Sequence, residues 1–571
     1  IFVDAASSLS LSTSLTIANP STFNGGLTLQ PGSNLGGTAN ITVAGAFSWT
    51  GGTMTGAGTT TVNNGVAFSG SGIKTITGSR SLVTGGTTTW SGTGLIQVGS
   101  GGSITNNYIW DCQSDAQIQN LGSPGAISNP SGSVFKKTGG TGTTVIGIPF
   151  NNQGAAPVYS GTLNLTGGGT TDGSITGTVG TTVQFSADYT LSAPSIVTAD
   201  TALFSSGIVE IKGAYTVTTT NISGGTVSFD NPTPDLSTTL NLSYGTLQGT
   251  GTLTMSGLTT WTSGTMTGAG TTNANGGMSI SGAGIKTLTS SRVLNTSGTT
   301  TWSGTGYIQV GSGASINNNG TWDCQSDSLF QNIGSSGTFS NPSGSTFKKS
   351  AGTGTTNIGI PFNSGGTVSV QSGTLELSGG GTGTGVFNGS AGTTLQFAGN
   401  YSLSASSSVN ADTVTFTSGT VAIDGTYVAG AGTTVNGGTA NFDPVATGPV
   451  VGSALAVSFG VLNLTSGKPI TTSTLNLSNG TLQGTDTVSV SGLTTWTAGT
   501  MSGAGTTNTN GGLSMTGTFY KSLTSSRVLN AFGATTWPGT GPLQVGTGAT
   551  INNNGTWDCQ NDSQIQNIGS P

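Results

Sequence analysis

Histidine is absent from the 571 residues. That excludes Ser-His-Asp and Cys-His nucleophiles and His-ligated zinc, and removes the commonest proton shuttle at neutral pH. Charge is scarce too, with 12 Lys and Arg and 18 Asp and Glu making up 5% of the chain. The net charge is −6, and no basic cluster exceeds the pairs Lys136-Lys137 and Lys348-Lys349. Nucleic acid and anionic membrane surfaces are therefore not expected as partners, because each needs several positive charges on one face. No apolar run approaches the roughly 20 residues of a membrane-spanning helix, so membrane insertion is not expected either. Glutamate occurs only at Glu210 and Glu376, and no stretch repeats apolar residues at helical spacing over three turns. The opening Ile1-Phe2-Val3-Asp4 lacks the charged-then-apolar order of a signal peptide. An export address, for an exported protein, is expected to have been removed or to lie outside this sequence.

What remains is 100 Gly and a wealth of short β-prone runs, such as Thr-Leu-Asn-Leu and Thr-Val-Ser-Phe, punctuated every few residues by Gly-Gly, Asn-Gly or Ser-Gly. The fold class this implies is all-β. Length alone would suggest three or four domains, but a repeat array escapes that arithmetic because each unit packs only on its neighbours.

Internal self-similarity carries the most information. Trp49, Trp261 and Trp496 open matching segments, at offsets of 212 and then 235 in the numbering. The same two offsets relate Trp90, Trp302 and Trp537; Trp110, Trp322 and Trp557; Lys74, Lys286 and Lys521; Arg80, Arg292 and Arg527; and Cys112, Cys324 and Cys559. The first offset slips to 213 between Phe229-Asp230 and Phe442-Asp443, which locates the extra residues of the second copy near 444–474. Pro571 aligns with Ser336 and Pro124, so the third copy is partial. The organisation read from this is an N-terminal segment 1–27, expected to serve as a capping or assembly end, then block 1 at 28–239, block 2 at 240–474 with its insertion, and a partial block 3 at 475–571.

A finer period lies inside the blocks: Trp110 follows Trp90, and Trp322 follows Trp302, at an offset of 20, and Trp49 to Trp90 is close to twice that. Coils of about this length suit an elongated parallel β-solenoid, or β-helix, in which strands of successive coils pair along the axis and like residues stack into ladders. The rival architecture is a string of tandem β-sandwich domains, but strands of five or more alternating residues and Pro-rich linkers are lacking.

The carboxylates with the most regular spacing are Asp111 and Asp115, recurring as Asp323 with Asp327 and Asp558 with Asp562. On a strand, residues four apart lie about 13 Å from each other, too far for glycosidase geometry unless a turn folds them together. Turn capping is the plain expectation, and a weak Ca²⁺ site is the sharper one, the only cofactor the sequence suggests. Three near-copies argue against a catalytic centre. The cysteines fall one per block, about ten coils or on the order of 50 Å apart, against the roughly 7 Å between Cα atoms that a disulfide needs. Buried thiols are expected, with lateral disulfides between rods as the alternative. The nine Trp, flanked by Thr and Gly, read as core or corner fillers rather than a carbohydrate-stacking stripe. Lys74 and Arg80, with their equivalents, are expected on a solvated face, where pairing with carboxylates of an adjacent rod is the functional option. The runs Asn317-Asn318-Asn319 and Asn552-Asn553-Asn554 suit stacked amide ladders at turns. Thr59-Thr60-Thr61 and Thr299-Thr300-Thr301 raise an ice-binding face, although no Thr-x-Thr recurs coil after coil.

The stretch from Gly337 through Asn-Pro-Ser-Gly-Ser-Thr-Phe-Lys-Lys to Thr356, continued by Ile-Pro-Phe-Asn-Ser-Gly-Gly-Thr-Val-Ser-Val-Gln-Ser-Gly-Thr-Leu at 360–375, resembles the repeat regions of giant bacterial surface exoproteins of the filamentous-haemagglutinin and autotransporter-passenger kind. A more diverged copy runs over 125–163. The resemblance implies a stalk at the cell surface that adheres or builds matrix. Its expected partners are copies of itself, end to end or side by side, and host or matrix polysaccharide. The alternative function is a carbohydrate-active β-helix, a polysaccharide lyase or hydrolase. The insertion is poor material for it, since Lys468 is its sole charged residue.

Overall fold

The computed structural model describes residues 2–123, 125–444 and 448–569. The aligned Pro124 and Pro571 and part of the expected insertion, 445–447, lie outside the described residues. The chain divides into two compact units, Ile1–Gly276 and Gly277–Pro571, so the division falls within the second sequence block.

Unit 1 is a parallel β-solenoid. Each strand pairs with the strand one coil before it and one coil after it, as Ser81–Thr84 does with Thr59–Val62 and Ser103–Asn106. A coil is three short strands, for example Thr59–Val62, Val66–Phe68 and Lys74–Ile76, joined by tight corners. Side chains alternate buried and outward along each strand, because successive Cβ atoms point to opposite faces of the sheet. The inward set, Leu, Ile, Val, Phe and Trp, forms one core that runs through the stack. Residues 2–27 obey the same rule: Phe2–Val3 pairs with Ser21–Phe23, and Ser8–Leu11 with Gly26–Leu29.

The coil period is not constant, and it differs from the Trp spacing. Trp90 is in register with Cys112, and Thr88 with Trp110. Trp90 and Trp110 therefore occupy neighbouring inward columns rather than one. Further along, the corner between two faces vanishes and Ile196–Phe204 continues as a single strand that pairs with both Ser174–Gly177 and Thr182–Phe185.

Unit 2 is built in the same way. Its insertion is one additional coil: Ala454–Leu464 takes its pairs from Thr426–Phe442 and passes them on to Thr474–Leu477 and Thr481–Gly484. In unit 1 the equivalent strands meet directly, Thr219 with Thr239. An insertion of one whole coil leaves every neighbouring strand with a partner, so backbone donors and acceptors stay satisfied.

Candidate functional site

The inward alternation decides where the repeated chemical groups end up. Trp49, Trp90, Trp110, Trp261, Trp302, Trp322, Trp496 and Trp537 are all buried, as expected of core fillers, while Trp557 is half-buried. In unit 1 the rings make a relay from Phe47 through Trp49, Phe68 and Trp110 to Phe135 and Phe150, with centroids 5.0–5.9 Å apart. In unit 2 a corresponding relay joins Trp302, Phe330, Trp322 and Phe339. Cys112 and Cys324 are buried thiols, each in register below a Trp and above a Lys. Burial pushes both thiols far above their ordinary range, against the pull of Lys137 or Lys349. Cys559 departs from the expectation and is exposed, because the strand Trp557–Cys559 has a partner only on its Thr535–Trp537 side among the described residues.

The carboxylate pairs are brought to the lysine pairs of the next coil. Asp111 is in register with Lys136 and lies 3.7 Å from its Nζ, and it accepts hydrogen bonds from Thr138 Oγ1 and Gln113 Nε2. Asp115, on the corner, accepts from Lys137 Nζ at 2.7 Å and from the Gly142 backbone N–H at 2.9 Å. The Lys137 side chain is completely buried, and its Nζ also donates to the Gly139 carbonyl. Unit 2 repeats each contact: Asp323 with Lys348 at 3.3 Å, Asp327 with Lys349 at 2.6 Å, and Gly354 N–H on Asp327. Gly140 and Gly352 hold positive φ, and a Cβ at either would run into the Asp115 or Asp327 carboxylate, so the corner is shaped around the acid. Desolvation alone would raise the Asp115 and Asp327 carboxyls, but the lysine ammonium and the backbone N–H outweigh it and hold both below the ordinary range.

The expected weak Ca²⁺ site would draw on the same oxygens: in both complete copies the Asp115 and Asp327 carboxylates accept from lysine and backbone donors, and Asp111 and Asp323 from Thr138 or Ser350 and from a Gln amide. In the third copy, among the described residues, Asp558 accepts only from Gln560 Nε2, and Asp562 is exposed. No group of three or more metal-ligating side chains occurs among the described residues.

The solvated face expected for Lys74 and Arg80 is overturned. Lys74, Lys286, Lys521, Arg80, Arg292 and Arg527 are all fully buried. In the strand Lys74–Ile76, Ile76 points inward, so Lys74, two residues away, must as well. Its Nζ donates to the Gly70 and Gly72 carbonyls, and Lys286 does the same to Gly282 and Gly284. Arg80 reaches back across two coils to the Gly37 and Ala39 carbonyls and to Thr60 Oγ1. These cations plug the corners, adding donors to carbonyls of which some, such as Gly70 and Gly282, also accept a backbone N–H from the next coil. Burial lowers the pKa of each lysine.

The amide ladders are present, but on strands rather than turns. An internal ladder runs from Asn106 to Asn129 to Asn152, and outer ladders link Asn552, Asn530 and Asn508 in one place and Asn317 with Asn295 in another. Two groups escaped sequence reasoning. Asp235 is fully buried, holds Asn231 Nδ2 with one carboxyl oxygen and leaves the other unpartnered; burial pushes its pKa up to about 7. It has no repeat equivalent to draw notice. Asp486 stands where the other blocks have Ala39 and Gly251, and caps Ser466 and Gly467. Outside the core, the grooves on the described surface are shallow and lined mainly by Ser, Thr, Asn and Gly. No family model matches the chain, and neither does any curated protein or solved structure.

Proposed function

We propose that this chain is an extracellular structural rod that assembles with copies of itself into a surface or matrix filament and has an adhesive role. The observation that carries the reading is where the charged side chains are used: the recurring buried lysines and arginines, and the carboxylates of both complete blocks, are spent on plugging corners and closing coils. A repeated block whose recurring cations serve the stack is the economy of a scaffold, and repetition multiplies a surface where catalysis needs one centre. The resemblance to surface-exoprotein stalks points the same way. A carbohydrate-active β-helix would instead gather carboxylates or basic groups in an accessible cleft.

Electron microscopy of the purified full chain tests the proposal. Uniform filaments, lengthening with concentration, are the expected result; isolated particles alone at high concentration would overturn the assembly reading. Release of reducing ends or unsaturated products from polysaccharides would establish the enzymatic alternative.

A further inference from the structure

One outward column of unit 1 forms a continuous polar line beside apolar corners. Asn34 is in register with Thr53, Thr53 with Thr75, Thr75 with Gln97 and Gln97 with Gln119, so five successive coils present a hydroxyl or amide on one line. The line is partly zipped: Thr75 Oγ1 donates to Gln97 Oε1, and Gln97 Nε2 to Gln119 Oε1. The Gln97 amide still has one N–H and one acceptor lone pair to offer, and Gln119 both N–H groups. Beside this line the corners rise into an apolar wall made by Pro31 and by Ile73, which is 50% exposed. Wall and line enclose an open groove of about 500 Å³ with no charged residue in its lining.

The same arrangement recurs in the other blocks. Thr287, Gln309 and Gln331 form one ladder, flanked by Ile285 and Tyr307 at 49% and 46% exposure. Ser522, Gln544 and Gln566 form another, flanked by the exposed Phe519 and Tyr520. Large exposed apolar side chains set against a row of neutral hydrogen-bonding groups match a ligand with one hydrocarbon face and hydroxyl edges. The absence of charge rules against an acidic polymer, which would bury unpaired anions. Coils repeat every ~4.8 Å along the axis, a step comparable to the advance per sugar in an extended β-linked glycan.

We propose that each of these ladders, with Gln97, Gln309 or Gln544 as its polar contact and Ile73, Ile285 or Tyr520 as its apolar wall, binds a neutral β-linked glycan lying along the local coil axis. The inference rests on the adhesive reading and gives it a ligand class.

Affinity electrophoresis of the full chain through gels containing soluble mixed-linkage β-glucan or hydroxyethylcellulose, with polygalacturonate as the acidic comparison, tests it. Retardation is expected in the neutral gels and none in polygalacturonate. The triple variant Gln97→Ala, Gln309→Ala, Gln544→Ala should need at least ten-fold more glucan for the same retardation. So should Ile73→Ser, Ile285→Ser, Tyr520→Ser, a second set beside the same three ladders that guards against misfolding of the first. Unchanged mobility of the natural chain in both neutral gels, retardation by polygalacturonate alone, or undiminished retardation of both triple variants would each overturn the inference. Filaments seen by microscopy alongside any of these results would leave the structural reading standing and remove the glycan groove alone.

Discussion

Lys137 and Asp115 show how single residues carry stability here. The Lys137 ammonium, enclosed by the core, is met by a carboxylate and a single carbonyl, so removing the carboxylate leaves a buried charge with one partner. Asp115 is itself 37% exposed, and water can partly replace what is lost. Asp115→Asn is therefore expected to lower stability by about 1–3 kcal/mol in urea unfolding. Pairing it with Lys137→Met should restore most of that loss, since neither charge is then buried. Asp235 works in the opposite sense. Its carboxyl titrates near 7 when folded against an ordinary value of about 4, so between those pH values the folded chain binds the extra proton. The stability it contributes is fully present below about pH 4 and is lost as pH rises through 7. Asp235→Asn should match the natural protein at pH 4 and protect the strand Asp235–Leu242 better at pH 8, by roughly 2–4 kcal/mol in amide hydrogen exchange.

Strands and corners are the scale at which the sequence was most legible. Short β runs broken by Gly and Asn, together with the short recurring interval between Trp residues, point to a parallel solenoid, and the strands do pair in parallel, though at a coil period that differs from the Trp interval. The finer register was not legible, because coils differ in length where corners lengthen or vanish: Ile196 meets Ala214 on the next coil, whereas Gln117 meets Val145 and Leu329 meets Asn357. The Lys-Asp pairs were hidden for the same reason: Asp115 and Lys137 stand a full coil apart in sequence and meet only once the register is known, as do Asp327 and Lys349. The buried Lys74 carried a local signal in Ile76, since alternation fixes both side chains on one face; its lack of a carboxylate partner made a surface position the simpler reading. The extra coil of unit 2 yields a prediction at this scale. Deleting residues 452–473 would bring Thr474 under Gly432, as Thr239 lies under Thr219, and should give a folded chain of unchanged β content by circular dichroism. Deleting 454–464 alone removes the strand but leaves the return path, and should yield aggregation or lost β signal.

For the whole molecule, sparse charge governs behaviour between copies. With a net charge of −6 and an isoelectric point near 4.4, self-repulsion is weak at neutral pH and vanishes in mild acid. Light scattering should therefore rise to a maximum close to pH 4.4 and respond little to salt at pH 7, where few charges exist to be screened. The cations that plug the corners have a further effect, on attack by proteases. Of the twelve Lys and Arg, eight are wholly enclosed, and Lys136 and Lys348 are held by Asp111 and Asp323. Lys468 precedes Pro469, a bond trypsin cuts poorly, which leaves Lys212 as the accessible site. Native protein treated with trypsin should be cut after Lys212 first and resist elsewhere until it unfolds. By storing its basic residues as stoppers for its own backbone, the fold withdraws them from the enzymes that would use them to dismantle it.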